Sequence, residues 1–271
     1  LPSMKFIHVT DLHLTAPGRQ LWGLDPHMRL NACLEDIGRH HGDARFCAIT
    51  GDLAESGEPA AYRALREALE EMPMPCHLMM GNHDERSAFR AVFDRHPVDA
   101  NGFVQDARHE EEGAFLFLDT LKGPPSSAGL YDDDRKAWLT AQLDRAAGRP
   151  VYLFMHHPPF AIAHPLMDLI MLEEPDAFHA LLAGHDIRHI FFGHAHRTIS
   201  GHWRGISYSA LPALNHQLPL VGGSVPTVYS REPAMYSVVH LEDDRLIVHS
   251  DAFLDRKPAE MAEDAERGNW Y

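Results

Sequence analysis

Apolar residues along this chain gather into short runs that stop abruptly at a glycine, a carboxylate or an imidazole. Residues 4–10, 45–50, 76–80, 114–119, 151–155 and 189–192 are runs of this kind. Their length, their β-branched and aromatic content and their polar ends predict buried strands. Between them lie stretches with helical spacing, at 25–41, 59–72, 85–95, 133–147 and 174–183. Such alternation predicts an α/β fold of βαβ units, with helices covering the sheet. After Gly205 the texture changes. Residues 206–211, 235–241 and 245–250 alternate apolar with polar, which predicts an antiparallel meander with Asp243-Asp244 as a turn. Two segments break the order. Residues 158–173 are rich in Met, Leu and Ile, and residues 211–233 carry Pro and Gly with few charges. Each is a candidate lid, pocket wall, subunit contact or plain surface loop. Residues 255–271 are polar and acidic, as expected of a docked or frayed terminal helix.

The polar residues that end the runs are of one chemical kind. In order they are Asp11-Leu12-His13, Gly51-Asp52, Gly81-Asn82-His83-Asp84, His156-His157 and Gly193-His194-Ala195-His196. In an open α/β sheet, ligands bind beyond the carboxyl ends of the strands, so these residues should converge on one edge. In extended chain, residues two apart share a face. Asp11 and His13 can then reach one ion, and so can His194 and His196. One such pair means little in a chain with 21 histidines. The ordered set means more, because Asp, His and Asn meeting at one edge make a site for two metal ions. Gly51, Gly81 and Gly193 stand where a tight turn off a strand has no room for a Cβ. His8, His77, His189, His240 and His249 lie inside strands, away from these turns, and read as structural or exposed.

Composition narrows the picture. With 271 residues, the chain is one large domain or a domain with a small appendage, and it can bury a sizeable core. A hydrophobic fraction of 45% argues against disorder. The net charge of −15 disfavours nucleic-acid polymers and anionic membranes as partners. A small anionic substrate remains compatible, because a metal pair brings its own positive charge. No apolar run reaches the length of a membrane span, and Leu1-Pro2-Ser3 lacks the regions of a signal peptide. Cys33, Cys47 and Cys76 are too scattered for a disulfide framework; Cys47 and Cys76 read as inert core thiols. A cytoplasmic protein is expected.

The ordered set resembles the calcineurin-like metallophosphoesterases. Their pattern is Asp-x-His, Gly-Asp, Gly-Asn-His-Asp/Glu, a separate His, and Gly-His-x-His, and the likeness spans residues 6–196. Leu21-Trp22-Gly23, Phe154-Met155-His156-His157-Pro158-Pro159, and Leu211-Pro212 with His216-Gln217 resemble the bacterial class III branch, which acts on cyclic nucleotides and glycerophosphodiesters. The resemblance implies a four-layer αββα sandwich with a small cap or dimerisation insertion. The catalytic core would be 1–210 with a cap-like segment at 158–173. The insertion would be 211–233, and 234–271 would add closing strands and a polar tail. It implies two divalent or trivalent ions, of Fe, Mn, Zn or Co. Asp11, His13 and His196 would hold one, Asn82, His156 and His194 the other, and Asp52 would bridge them. His83 would meet the scissile phosphate or the leaving oxygen. Asp84 would orient His83, or merely cap the next helix. Asn82, His83, His157 and His216 would contact substrate. The implied reaction is in-line attack on phosphorus by a metal-bound hydroxide, on a small phosphodiester, in a homodimer or higher oligomer. Two divalent ions, two aspartates and one hydroxide leave a charge of about +1, which suits a diester monoanion.

Other branches fit less well. Purple acid phosphatases place a Tyr ligand three residues after the bridging Asp, where this chain has Glu55. Protein Ser/Thr phosphatases follow Gly-Asp with a basic stretch that clamps a monoester dianion. Here that stretch is Leu53-Ala54-Glu55-Ser56-Gly57, without Arg or Lys. Nucleases of the superfamily carry basic, extended surfaces. A non-catalytic metal-binding scaffold on the same fold is the competing class, since fold alone does not settle function.

Overall fold

In the computed structural model, which describes residues 4–220 and 228–256, two mixed sheets lie face to face with helices on both outer surfaces. Residues 1–3, part of the expected insertion (221–227) and most of the expected polar tail (257–271) lie outside the described residues. Strands are numbered in chain order. One sheet contains β1 (Met4–Val9), β2 (Cys47–Ile49), β3 (Cys76–Leu78), β10 (Tyr236–Glu242) and β11 (Arg245–Asp251), in the order β11-β10-β1-β2-β3. The other contains β4 (Asp106–Glu110), β5 (Gly113–Phe117), β6 (Val151–Met155), β7 (Ile187–Phe192), β8 (Ile199–Trp203) and β9 (Ile206–Ala210), in the order β4-β5-β6-β7-β9-β8. Helices α1 (Pro26–His41), α2 (Pro59–Leu69) and α3 (Arg86–Val92) pack on the first sheet; α4 (Asp133–Ala146) and α5 (Pro175–Leu182) pack on the second. This is the expected four-layer α/β sandwich.

Local chemistry explains the elements. Asp25 caps α1 by accepting from the amides of His27 and Met28, with Pro26 in the first turn. In β1, Ile7 and Val9 face the helices while Phe6 faces the opposite sheet, as a period of two requires. The layer between the sheets is largely aromatic. Phe6 stacks on Phe46 and Phe154 on Phe191, each at 4.8 Å between ring centres. Parallel strands from both sheets therefore bring their carboxyl ends to a common edge.

The structure departs from the sequence expectation in two places. β4 and β8 were not anticipated. Both are edge strands whose sequences, Asp-Ala-Arg-His-Glu and Ile-Ser-Gly-His-Trp, carry no continuous apolar run. Residues 206–211 do not join a meander with β10. As β9, residues 206–210 run parallel to β7 and antiparallel to β8 in the other sheet. Alternation shows that a strand has two unlike faces, but not which sheet it enters. A local signal was present: Arg204-Gly205, both with positive φ (51° and 87°), form the tight turn between β8 and β9. β10 and β11 pair about Asp243-Asp244 as expected. No described helix is long and apolar enough to cross a membrane.

Two buried histidines, His8 and His189, and the half-buried His96 give a pH signature. His96 Nε2 donates to the Leu78 carbonyl at 3.0 Å, while His8 and His189 share hydrogen bonds with the hydroxyls of Thr50 and Ser209. Burial pushes His8 and His189 down to about 3 and His96 down to about 4. Below the ordinary histidine value of about 6.5, the unfolded chain takes up protons that the folded chain refuses. Stability conferred by neutral rings is therefore present above that value and lost as pH falls towards about 4, by up to about 1.4 kcal/mol per pH unit for each ring. Melting of the metal-free protein should show Tm dropping steeply across this window, and His189→Gln should flatten the slope. A Tm independent of pH there would contradict the burial argument.

Candidate metal centre

The turns after β1, β2, β3, β6 and β7 meet at the shared edge. Asp11, His13, Asp52, His194 and His196 all adopt left-handed backbone, with φ of 53°, 47°, 48°, 65° and 50°. Asp11 and His13 thus lie beyond β1, not within an extended strand. They share a side because left-handed residues flank Leu12, and the same holds for His194 and His196 about Ala195. Each such residue costs about 1–2 kcal/mol unless its surroundings hold it. Those surroundings are present: Asp11 N donates to Gly51 O at 3.1 Å, and His13 N to Asp52 O at 2.9 Å. Gly81 and Gly193 are needed for close approach. A Cβ would collide with Asp52 Oδ1 at the first and with Thr10 Oγ1 at the second.

The imidazole nitrogens define the centre. His13 Nδ1 faces Glu55 Oε2 at 2.7 Å, and His196 Nδ1 faces the His216 carbonyl at 2.7 Å. Both partners only accept, so both Nδ1 atoms must carry the proton. In neutral rings the two Nε2 atoms then present lone pairs, and they face each other at 3.1 Å. The second half repeats the arrangement. His156 Nδ1 donates to the Thr50 carbonyl at 2.7 Å and His194 Nε2 to the Ile170 carbonyl at 3.0 Å. That leaves His156 Nε2 and His194 Nδ1 opposed at 3.1 Å, with Asn82 Oδ1 3.2 Å from His156 Nε2. Opposed lone pairs repel unless a cation lies between them: a metal ion, or in its absence a proton on His156 or His196, whose pKa values Asp52 and Asp11 raise against the effect of burial. Atoms sharing an ion at bonds of about 2.1 Å sit about 3.0–3.4 Å apart, so the spacing fits. Asp11 Oδ1 joins the first group, 3.3 Å from His196 Nε2. Asp52 Oδ2 faces both groups, 3.6 Å from His13 Nε2 and 3.4 Å from His156 Nε2. Asp11, His13, Asp52 and His196 form a buried group able to hold an ion, and His156, His157 and His194 form another.

Electrostatics follow the same plan. Burial alone would raise the Asp52 carboxyl, but His156, His83 and His13 outweigh it and hold it well below the usual range. Asp11 is likewise held low against its burial, by His196 and His156. Its Oδ2 also accepts from Thr10 Oγ1 at 2.8 Å, Thr10 Oγ1 from Thr50 Oγ1 at 2.8 Å, and Thr50 Oγ1 lies 2.8 Å from His8 Nε2. This buried chain fixes which Asp11 oxygen turns towards the imidazoles.

The remaining predicted residues take varied positions. His83 is part-buried beside His13, ring centres 4.8 Å apart, and its Nδ1 lies 2.8 Å from the Glu55 carbonyl. Burial would lower its pKa, but Asp52 and both the carbonyl and carboxylate of Glu55 raise it. Asp84 neither reaches the His83 side chain nor caps α3. Its buried oxygens accept from the amides of Leu53, Ala54 and Gly81 and from Tyr62, so it sews two ligand-bearing turns together. Glu85 caps α3 instead. His157, expected against substrate, is fully buried; its Nδ1 lies 2.8 Å from Thr120 Oγ1 and its ring 4.7 Å from that of His194. The His216 ring lies 4.7 Å from that of His13.

Sequence reasoning missed Glu55, which orients His13 through its side chain and His83 through its carbonyl. It also missed the carbonyls of Ile170 and His216, which orient His194 and His196 from the two interrupting segments. One signal was available: Thr10 and Thr50 each end a strand run just before a ligand turn. Glu55 also changes the charge estimate. A third carboxylate at the rim lowers the total of about +1 by one, and His83, its charged form favoured by Asp52 and Glu55, offsets it when protonated.

A model of the calcineurin-like phosphoesterase family matches residues 4–198. A probable cyclic nucleotide phosphodiesterase of Rhodopseudomonas palustris is 42% identical, covering 93% of each chain. A glycerophosphodiester phosphodiesterase of Enterobacter lignolyticus is 29% identical, over 85% of this chain and 84% of its own. A cAMP/cGMP dual specificity phosphodiesterase of Mycobacterium tuberculosis is also 29% identical, over 92% of this chain and 79% of its own. Among solved structures, purple acid phosphatase from yellow lupin seeds superposes with a TM-score of 0.65 at 11% identity, over 96% of this chain and 53% of that one.

Proposed function

This chain belongs to the calcineurin-like phosphoesterase family, and we propose that it is a dinuclear-metal phosphodiesterase for small diesters, either cyclic nucleotides or glycerophosphodiesters. The two pairs of opposed imidazole lone pairs carry the dinuclear reading. The substrate class is supported by relatives named for those two activities. Asp11, His13 and His196 would hold one ion, Asn82, His156 and His194 the other, with Asp52 shared. When bound, the ions would acidify water at neutral pH and draw charge from the phosphoryl oxygens. The side chains do the rest. Asn82 ligates without adding negative charge. His83, anchored through Nδ1, has Nε2 to offer a proton to a phosphoryl or leaving oxygen. Glu55 and the Asp84-stitched turns hold these groups in place.

A diester preference follows from charge. Glu55 takes one unit of charge away and a protonated His83, which its role as proton donor requires, returns it, so the loaded centre stays at about +1. Among the described residues, none of the hydrogen bonds or ion pairs of Asp52, Asn82 and His83 involves Lys or Arg. A monoester dianion would find no second neutralising group. The kcat/KM for bis(p-nitrophenyl) phosphate should therefore exceed that for p-nitrophenyl phosphate. The reverse order would rule out the diesterase reading. Two bound ions without turnover of any diester would favour the scaffold alternative.

We propose a cytoplasmic location, with which three free cysteines are compatible. The segment 211–233 also supports a homodimer or higher oligomer, because Leu220 and Val228 are exposed. Light scattering tests this. A clean monomer at tens of micromolar would assign the segment to the active-site mouth alone.

A further inference from the structure

On one side of the metal centre, aromatic rings continue outward beyond anything the chemistry requires. The His216 ring lies 4.7 Å from that of His13, and Tyr229 stands edge-on to His216 at 4.6 Å. Trp22 lies 4.6 Å from Tyr229, with 35° between the planes, and 6.2 Å from His216. The path therefore runs from a metal ligand to solvent without a break. Trp22 is 52% exposed and Tyr229 39%, so both offer ring surface at the mouth. The two loops that carry them are fastened together. Arg231 Nη2 donates to the Trp22 carbonyl at 3.1 Å and occupies the space where a side chain at Gly23 would stand. Behind it, Gln217 and Ser230 exchange backbone hydrogen bonds at 3.0 and 2.9 Å. Trp22 itself is held at φ 54°.

Resting on the phosphodiesterase reading above, we propose that Trp22 and Tyr229 form a stacking face for the planar base of a nucleotide diester whose phosphate lies at the metal centre. The face selects cyclic nucleotides over glycerophosphodiesters with aliphatic alcohols. A purine gains dispersion and stacking against such rings, whereas glycerol has no flat surface to present. Stacking tolerates any base, because every base has a π face, so purines should be favoured over pyrimidines only by their area. A quaternary ammonium is the other ligand that aromatic rings attract. Trp22 and Tyr229 lie against each other at a shallow angle, which suits a flat partner better than a cation needing several convergent faces.

The test compares 3′,5′-cyclic AMP, glycerophosphoglycerol and glycerophosphocholine in the metal-loaded wild type and in Trp22→Ala, Tyr229→Ala and Trp22→Phe. The cyclic AMP to glycerophosphoglycerol ratio of kcat/KM should fall about tenfold in each alanine variant. The loss should sit in KM, and Trp22→Phe should recover most of it. Cyclic AMP should also quench wild-type tryptophan fluorescence, with less quenching in Trp22→Phe. Equal losses on all three diesters would make the rings a structural wall and overturn the proposal. A loss confined to glycerophosphocholine would make them a cation site, and dissociation of an oligomer in the alanine variants would make them an interface; either overturns it. If the wild type hydrolyses none of the three, the phosphodiesterase reading fails, and the quenching comparison still decides the stacking face.

Discussion

Asp52→Ala is expected to lower metal content from two ions per chain to fewer than one and to cut diester turnover by at least about a thousandfold. Asp52 Oδ2 is the carboxylate oxygen that faces both imidazole groups, at 3.6 Å from His13 Nε2 and 3.4 Å from His156 Nε2. Without it, two cations would face each other across a buried gap with no shared negative charge. Asp11 cannot substitute, because its Oδ2 is committed to Thr10 and to the His194 amide. The change also removes the acceptor for the His83 amide, so both ligand-bearing turns loosen. Metal analysis of the purified variant, alongside turnover, checks the result. Full retention of two ions would show that Asp52 is no bridge.

His83→Ala should behave differently. The backbone amide of residue 83 still donates to Asp52 Oδ1 in the variant, so the turn stays in place. What disappears is one imidazole beside His13, at the proposed phosphate position. Loss of such a donor costs transition-state stabilisation, about 10²–10³ in kcat, while two ions remain bound. The contrast with Asp52→Ala is the informative quantity. His83 also lies near His13 and Glu55 in an arrangement that a metal ion could occupy. Equal metal loss in both variants would therefore make His83 a ligand and remove its proposed role as proton donor.

Much of this was legible in the chain because strand ends are punctuated chemically. Abrupt changes from apolar runs to Asp, Asn or His marked the shared edge, and the runs themselves marked most of the strands; the pairing of two sheets in four layers came only from the family resemblance. β4 and β8 were hidden because an edge strand needs only one covered face, so polar residues interrupt its pattern. The left-handed backbone at Asp11, His13, Asp52, His194 and His196 was hidden too. Side chains of Asp and His tolerate that conformation, but their identity does not announce it. Glu55 was visible only as a missing tyrosine; its contact with His13 depends on how the turn after β2 folds back. Asp84 shows the opposite error. Its position beside His83 in sequence suggested a partner for that ring, whereas the turn directs its carboxylate towards amides of the neighbouring loop. The ligands' own partners were least legible, because backbone carbonyls at Ile170 and His216 carry no side-chain signature.

Two cations lying between the opposed imidazoles and sharing Asp52 would underlie everything proposed for this site. Anomalous scattering from crystals of the metal-loaded protein tests it most directly. Two peaks are expected, one bonded to Asp11, His13 and His196, the other to Asn82, His156 and His194, with Asp52 touching both. A single peak, an Asp52 bonded to one ion only, or His157 ligating in place of His156 would contradict it.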